Sequence, residues 1–212
     1  MNYYIYLHGF ASSPKSAKAQ HISDRFAEID IKLKIPDLNA GDFSQLTITG
    51  QITQVAAQFP DDSTPVTLIG SSLGGLTSAY LAQQYSQVQR LVLLAPAFGF
   101  LSHWLPQLGN QELQRWEQEQ YLMIHHYGEG RSLPLSYNFV IDAAQYQETI
   151  LQRPVPTLIF HGQQDEVIPI TASREFARSR PWVELIELDS DHALSNVMAE
   201  IWPEIYRFCQ FP

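Results

Sequence analysis

Cysteine is almost absent: the one in 212 residues, Cys209, can form no internal disulfide and has no companion for a metal quartet. Its apolar setting predicts a packed small side chain rather than a catalytic thiol. Positive charge is scarce too, with 13 Lys and Arg against 22 Asp and Glu and a net charge of -9. Such a balance repels a polyphosphate backbone instead of releasing its counterions, and no Lys/Arg cluster offsets it, so no nucleic-acid partner is expected. No apolar run approaches the roughly 20 residues needed to span a bilayer. The opening MNYYIYLHGF has no basic n-region and no h-region of signal-peptide length. A soluble, cytoplasmic protein without a membrane span is the expectation. Repeats, low-complexity tracts and linkers are missing as well, and the length suits one domain over 1–212 that buries roughly 70% of its unfolded surface.

What is present alternates. Residues 3–7 favour a strand. After Ser13 as N-cap and Pro14 as first helical residue, Ala17, His21, Ile22, Phe26 and Ile29 recur at helical spacing. Residues 31–35 read as the next strand, 44–58 as a helix, 66–69 as a strand and 73–85 as a helix. RLVLLA at 90–95 is a continuous apolar run, the pattern of a strand buried on both faces. Beyond 150 come a strand at 157–160, a helix at 171–179, a strand at 183–188 and a helix at 193–209. Six strands alternating with helices predict a mostly parallel sheet covered on both faces. Residues 97–150 break the rhythm while carrying Phe98, Phe100, Trp104, Trp116, Tyr121, Met123 and Tyr127. They read as an inserted lid with one helix near 110–125.

The segment LIGSSLGGLTSAY at 68–80 sets Ser72 between Gly70 and Gly74 where a strand gives way to a helix. A nucleophilic serine at such a junction sits on a turn so sharp that only glycine two residues to either side leaves room for the neighbouring chains. The helix that follows aims its first amides at the site. Two further signals come later: Asp165 in FHGQQDEVIP (160–169) and His192 in LDSDHAL (188–194). Both lie beyond strand ends, where loops of a parallel sheet converge. Ser72, Asp165 and His192 thus stand in an order and a place that suit a nucleophile, the acid that orients a base, and the base. Asp191 and Glu166 are rival acids. LHGFASSP at 7–14 ends the first strand, and the backbone N–H groups of Phe10 and Leu73 are candidate oxyanion donors. His8, Gly9, Phe98 and Trp104 are candidate substrate contacts.

These stretches, YLHGF (6–10) with SSP (12–14), GSSLGG (70–75), APAF (95–98), HGQQDEVIP (161–169) and SDH (190–192), resemble the α/β-hydrolase superfamily, more narrowly its small bacterial esterase-like members of the YqiA type. The resemblance implies esterase or thioesterase chemistry on acyl substrates with no cofactor and no metal. It also implies that the chain starts at the third strand of the full fold. Residues 99–150 match no pattern of that family.

Other motifs carry less. Ser12-x-x-Lys15 lacks the companion motifs of a β-lactamase. His125-His126, read as helical neighbours pointing about 100° apart, has no partner to complete a metal site. GSSLGGLT lacks the Lys-Ser/Thr of a phosphate loop. The expected activity is hydrolysis of a small acyl ester or thioester through acyl-Ser72. A non-catalytic binding protein on the same fold, or a lyase or transferase using the same three residues, stands as the alternative. Lid aromatics on a small acidic chain leave a homodimer as an open expectation.

Overall fold

The computed structural model describes residues 2–39, 41–61 and 63–211. In chain order its elements are β1 (Tyr3–Leu7), α1 (Ala17–Glu28), β2 (Leu33–Lys34), α2 (Ile48–Ala56), β3 (Val66–Ser71), α3 (Leu73–Gln84), β4 (Val88–Leu94), α4 (Phe100–Leu108), α5 (Asn110–Glu119), β5 (Tyr121–His126), β6 (Arg131–Ser136), α6 (Asn138–Ala143), β7 (Thr157–Gly162), α7 (Ile170–Arg178), β8 (Val183–Leu188) and α8 (Met198–Cys209). Six strands form one sheet in the order β2-β1-β3-β4-β7-β8, and every pairing in it is parallel.

Strand alternation divides the interior in two, because successive side chains point to opposite faces. Ile5, Leu7, Leu91 and Leu93 pack under α2, α3 and the insertion. Tyr4, Tyr6, Val92 and Leu94 pack on the other face against α1 and α8. β3 and β7 are buried at every position, and β4, whose apolar run was expected to be covered on both faces, is buried from Leu91 to Leu94. Strand order reverses at β1: the chain leaves it for β2 on one side and returns to β3 on the other. Crevices at such switch points open at the carboxyl ends of the strands, here beyond Leu7 and Ser71.

Local competition explains where the boundaries differ from expectation. Ser13 and Pro14 lie in a turn before α1: the Ser13 carbonyl accepts from Ser16 N–H at 3.1 Å. Ser16 is the N-cap, its hydroxyl accepting from Ala19 N–H. Strand β2 keeps only Leu33 and Lys34, because Ile31 N–H donates to the Phe26 carbonyl and closes α1 through a left-handed Asp30. The stretch 44–58 splits into a 3₁₀ turn at Phe43–Gln45 and α2, which starts after Thr47 caps Gly50 N–H. The last helix likewise begins only at Met198, after a 3₁₀ turn at Ser195–Val197.

The insertion departs furthest. Instead of one helix near 110–125 it holds α4, α5, an antiparallel hairpin of β5 and β6, and α6. Gly109 at φ 77 separates the two helices, and left-handed Gln120 ends α5. Exposure then alternates through Tyr121, Leu122 and Met123, a period that only a strand satisfies. His125 and His126 are therefore strand neighbours on opposite faces, not helical ones. His126 is buried, its Nδ1 accepting from Glu129 N–H at 3.1 Å and its ring edge-on to Phe43. Trp116 Nε1–H donates to the Leu135 carbonyl at 2.9 Å and ties α5 to the hairpin. Among the described residues no helix is long and apolar enough to cross a membrane. Cys209 is buried, and burial pushes its thiol up to about 12.

Candidate active site

β3 ends at Ser71 and α3 begins at Leu73, so Ser72 turns the chain with φ 53 and ψ -121. A side chain rarely adopts this backbone, and it persists only where surroundings over-determine it. They do so here. Ser72 N–H donates to the Leu94 carbonyl at 3.0 Å, and the Ser72 carbonyl accepts from Gly75, Leu76 and Ala97 N–H. A Cβ on Gly70 would strike the Gly74 carbonyl, and one on Gly74 would strike the Leu7 and His8 carbonyls.

Around that turn the structure brings three side chains from separate loops into line. His192 Nε2 lies 3.1 Å from Ser72 Oγ, and His192 Nδ1 lies 2.7 Å from Asp165 Oδ2. With Nδ1–H donating to the carboxylate, Nε2 is free to accept the serine hydroxyl hydrogen. The Asp165 side chain is wholly buried and that of His192 is 21% exposed, so the imidazole reaches solvent while the carboxylate does not. Four donors surround the Asp165 carboxylate: Val167 and Ile168 N–H on Oδ1, and His192 and His161 on Oδ2. Burial opposes its charge, but the hydrogen bonds from His161 and His192 outweigh it and hold the carboxyl well below the usual carboxylate range. Of the rival acids, Asp191 caps Ala193 N–H at 2.9 Å and Glu166 is exposed.

The loop after β1 packs directly on the serine. A Cβ on Gly9 would lie 3.1 Å from Ser72 Cβ, a tight contact that the bare backbone of glycine avoids. Among the described residues, the N–H groups of Phe10 and Leu73 donate to no acceptor. His8, expected among substrate contacts, is 1% exposed with both ring nitrogens taken. Its Nδ1–H donates to the Gly9 carbonyl at 3.0 Å, and its Nε2 accepts from Leu38 N–H at 3.0 Å. That ring braces the loop and has no free atom for a ligand. Phe98 is also buried, stacked on Phe176 at 3.9 Å. Trp104 joins an aromatic group with Phe10, Phe100 and Phe139, its ring 5.1 Å from that of Phe10.

Sequence patterns did not single out three supporting residues. His161 lies inside the quoted HGQQD stretch but carries no spacing signal of its own. Gly162 lets the loop of His192 cross β7, since a Cβ there would strike the Ser190 carbonyl. Lys18 on α1 donates from Nζ to the His192 carbonyl at 3.2 Å. Burial lowers that ammonium to about 8, with Asp165 and Asp191 pulling the other way. Lys18→Met keeps the stem and removes this tie. Amide exchange at residues 191–194 is expected to quicken about tenfold, the worth of one charged hydrogen bond; unchanged exchange by mass spectrometry would show that the tie does nothing. Among the described residues, no group of three or more His, Cys, Asp or Glu could hold a metal ion.

Similarity to known proteins agrees with this architecture. Est1E from Butyrivibrio proteoclasticus, solved with ferulic acid bound, is similar at 20% identity over 99% of this chain and 88% of its own, with a TM-score of 0.79. Alpha/beta hydrolase domain-containing protein 10 from mouse is similar at 21% identity over 97% of this chain and 87% of its own, TM-score 0.78. Alpha/beta hydrolase GrgF from Penicillium sp. sh18 is similar at 13% identity over 99% of this chain and 90% of its own, TM-score 0.77. At such identities the likeness establishes the fold, and activity has to be argued from the site. Residues 3–210 match one family model throughout. The chain has the α/β-hydrolase fold and belongs to the uncharacterised protein family UPF0227.

Proposed function

We propose that this protein is a serine hydrolase of carboxylic esters or thioesters. The observation that carries the reading is the unbroken hydrogen-bonded chain from Ser72 Oγ through His192 to Asp165, hung on a serine of positive φ. His192 Nε2 takes the hydroxyl proton as Ser72 Oγ attacks the acyl carbon, while Asp165 holds the imidazole and offsets its charge. Leu73 and Phe10 N–H, free of other acceptors, receive the oxyanion. Collapse expels the alcohol or thiol with the proton from His192, and water deacylates Ser72 by the same steps reversed. Neither cofactor nor metal enters this sequence of steps.

The aromatic group around Phe10, whose N–H stands among the oxyanion donors, supports an apolar or aromatic acyl part. Est1E, one of the similar structures, was solved with ferulic acid bound.

The test is intact-mass analysis after treatment with a fluorophosphonate probe. One adduct per chain, lost in Ser72→Ala, is the expected result. A folded wild type that stays unlabelled would overturn the reading in favour of a binding protein on the hydrolase fold.

A further inference from the structure

His161 is a fully buried histidine on the last turn of β7 that the chemistry above does not use. It touches three groups. Nδ1 lies 2.8 Å from Ser173 Oγ of α7, and Nε2 lies 2.9 Å from the Ile168 carbonyl and 3.1 Å from Asp165 Oδ2. A core histidine needs one acceptor for its N–H, and the Ile168 carbonyl already provides it. The second contact falls on the oxygen that receives the hydrogen of His192.

We propose that His161 is a positioning residue: its Nε2 hydrogen, shared between the Ile168 carbonyl and Asp165 Oδ2, steadies that oxygen from behind and presents it to His192 in one orientation. The proposal rests on the serine-hydrolase reading and adds a fourth member to its hydrogen-bonded chain. The Ser173 hydroxyl donates to Nδ1 and so selects the Nε2–H form of the ring. The backbone amides of Val167 and Ile168 hold only Oδ1. Without His161 the carboxylate could turn about its Cβ–Cγ bond, and His192 would lose its fixed heading. Other charges face the pair from neighbouring elements. Lys18 on α1 acts on Asp165 together with Asp191 of the His192 loop, and Glu187 on β8 feels His161. None of them touches Oδ2 within hydrogen-bond distance among the described residues.

The experiment compares wild type, His161→Leu and His161→Gln as full chains, following the rate of fluorophosphonate labelling at Ser72 and the far-downfield proton resonance of His192 Nδ1–H. His161→Leu is expected to label about tenfold more slowly and to move the resonance, because Oδ2 then has one donor fewer. His161→Gln, whose amide N–H reaches toward Oδ2, is expected to label within about threefold of wild type with the resonance restored. A purely structural histidine would leave the resonance in place in both variants and show no rescue by glutamine, and that result would overturn the proposal.

Should His161→Leu fail to fold, nitrogen chemical shifts of the wild-type histidines decide the matter. An Nε2–H ring at His161 with a through-hydrogen-bond coupling to the Asp165 carboxylate upholds the proposal; an Nδ1–H ring, which cannot donate to Oδ2, or an Nε2–H ring without that coupling overturns it. This ring assignment does not depend on labelling. A wild type unlabelled at Ser72 therefore defeats the hydrolase reading and is distinguishable from failure of the His161 proposal.

Discussion

His192→Ala is expected to reduce ester turnover by about 10⁴-fold or more, with Ser72→Ala falling to the same floor and the double variant no lower. In the proposed hydrolase, proton removal from Ser72 and attack by Ser72 form one event, so losing either partner forfeits both contributions. Stability should barely respond, because the His192 side chain is partly exposed and its hydrogen bond to Asp165 is one of four on that carboxylate. The measurement is turnover of an activated ester beside a thermal melt. Single variants whose losses multiplied in the double variant would mean that the two residues act independently, which the 3.1 Å contact between them argues against.

Gly74→Ala carries the largest expected cost in stability. The new Cβ would run into the backbone carbonyls of Leu7 and His8, at the end of the strand paired with β3. Neither carbonyl can swing aside as a flexible side chain could, so α3 or the loop after β1 must move. A penalty of about 3 kcal/mol is expected, equivalent to a fall of about 10 °C in the thermal midpoint for a domain of this size. Gly75→Ala supplies the contrast. Its Cβ would meet Pro96 at 3.1 Å, a contact that needs a shift of only a few tenths of an ångström. A clearly smaller loss is expected there, and equal midpoints for the two variants would show that the close approach of α3 to β1 is not what Gly74 serves.

Much of this was legible before any coordinates. The alternation of buried strands and amphipathic helices is a local property, set by the spacing of apolar residues, and it foretells the parallel sheet and most of its helices. The glycines around Ser72 are equally local, since a chain needs them wherever two backbones meet that closely. The stretch after Pro96 was less readable, because nothing in its composition separates a helix ending at Glu119 from one reaching 125. A single left-handed residue, Gln120, decides the boundary, and glutamine carries no preference for that conformation.

The side-chain roles divide in the same way. Ser72, Asp165 and His192 announce themselves through position at strand ends and order along the chain. His8 does not, for HGF reads alike whether the imidazole faces a ligand or, as here, braces Leu38 and Gly9. Lys18 and His161 meet their partners only across the fold: Lys18 lies 174 positions from His192 in sequence. Local spacing in the sequence was enough for the sheet, for the sharp turn at Ser72 and for the placing of Ser72, Asp165 and His192 at strand ends. Tertiary structure alone decided which oxygen of Asp165 faces His192, what stands behind it, and how the insertion folds over Phe10. Periodicity is written between near neighbours, whereas the partners of a buried polar atom are chosen by whatever distant segment the packing brings beside it.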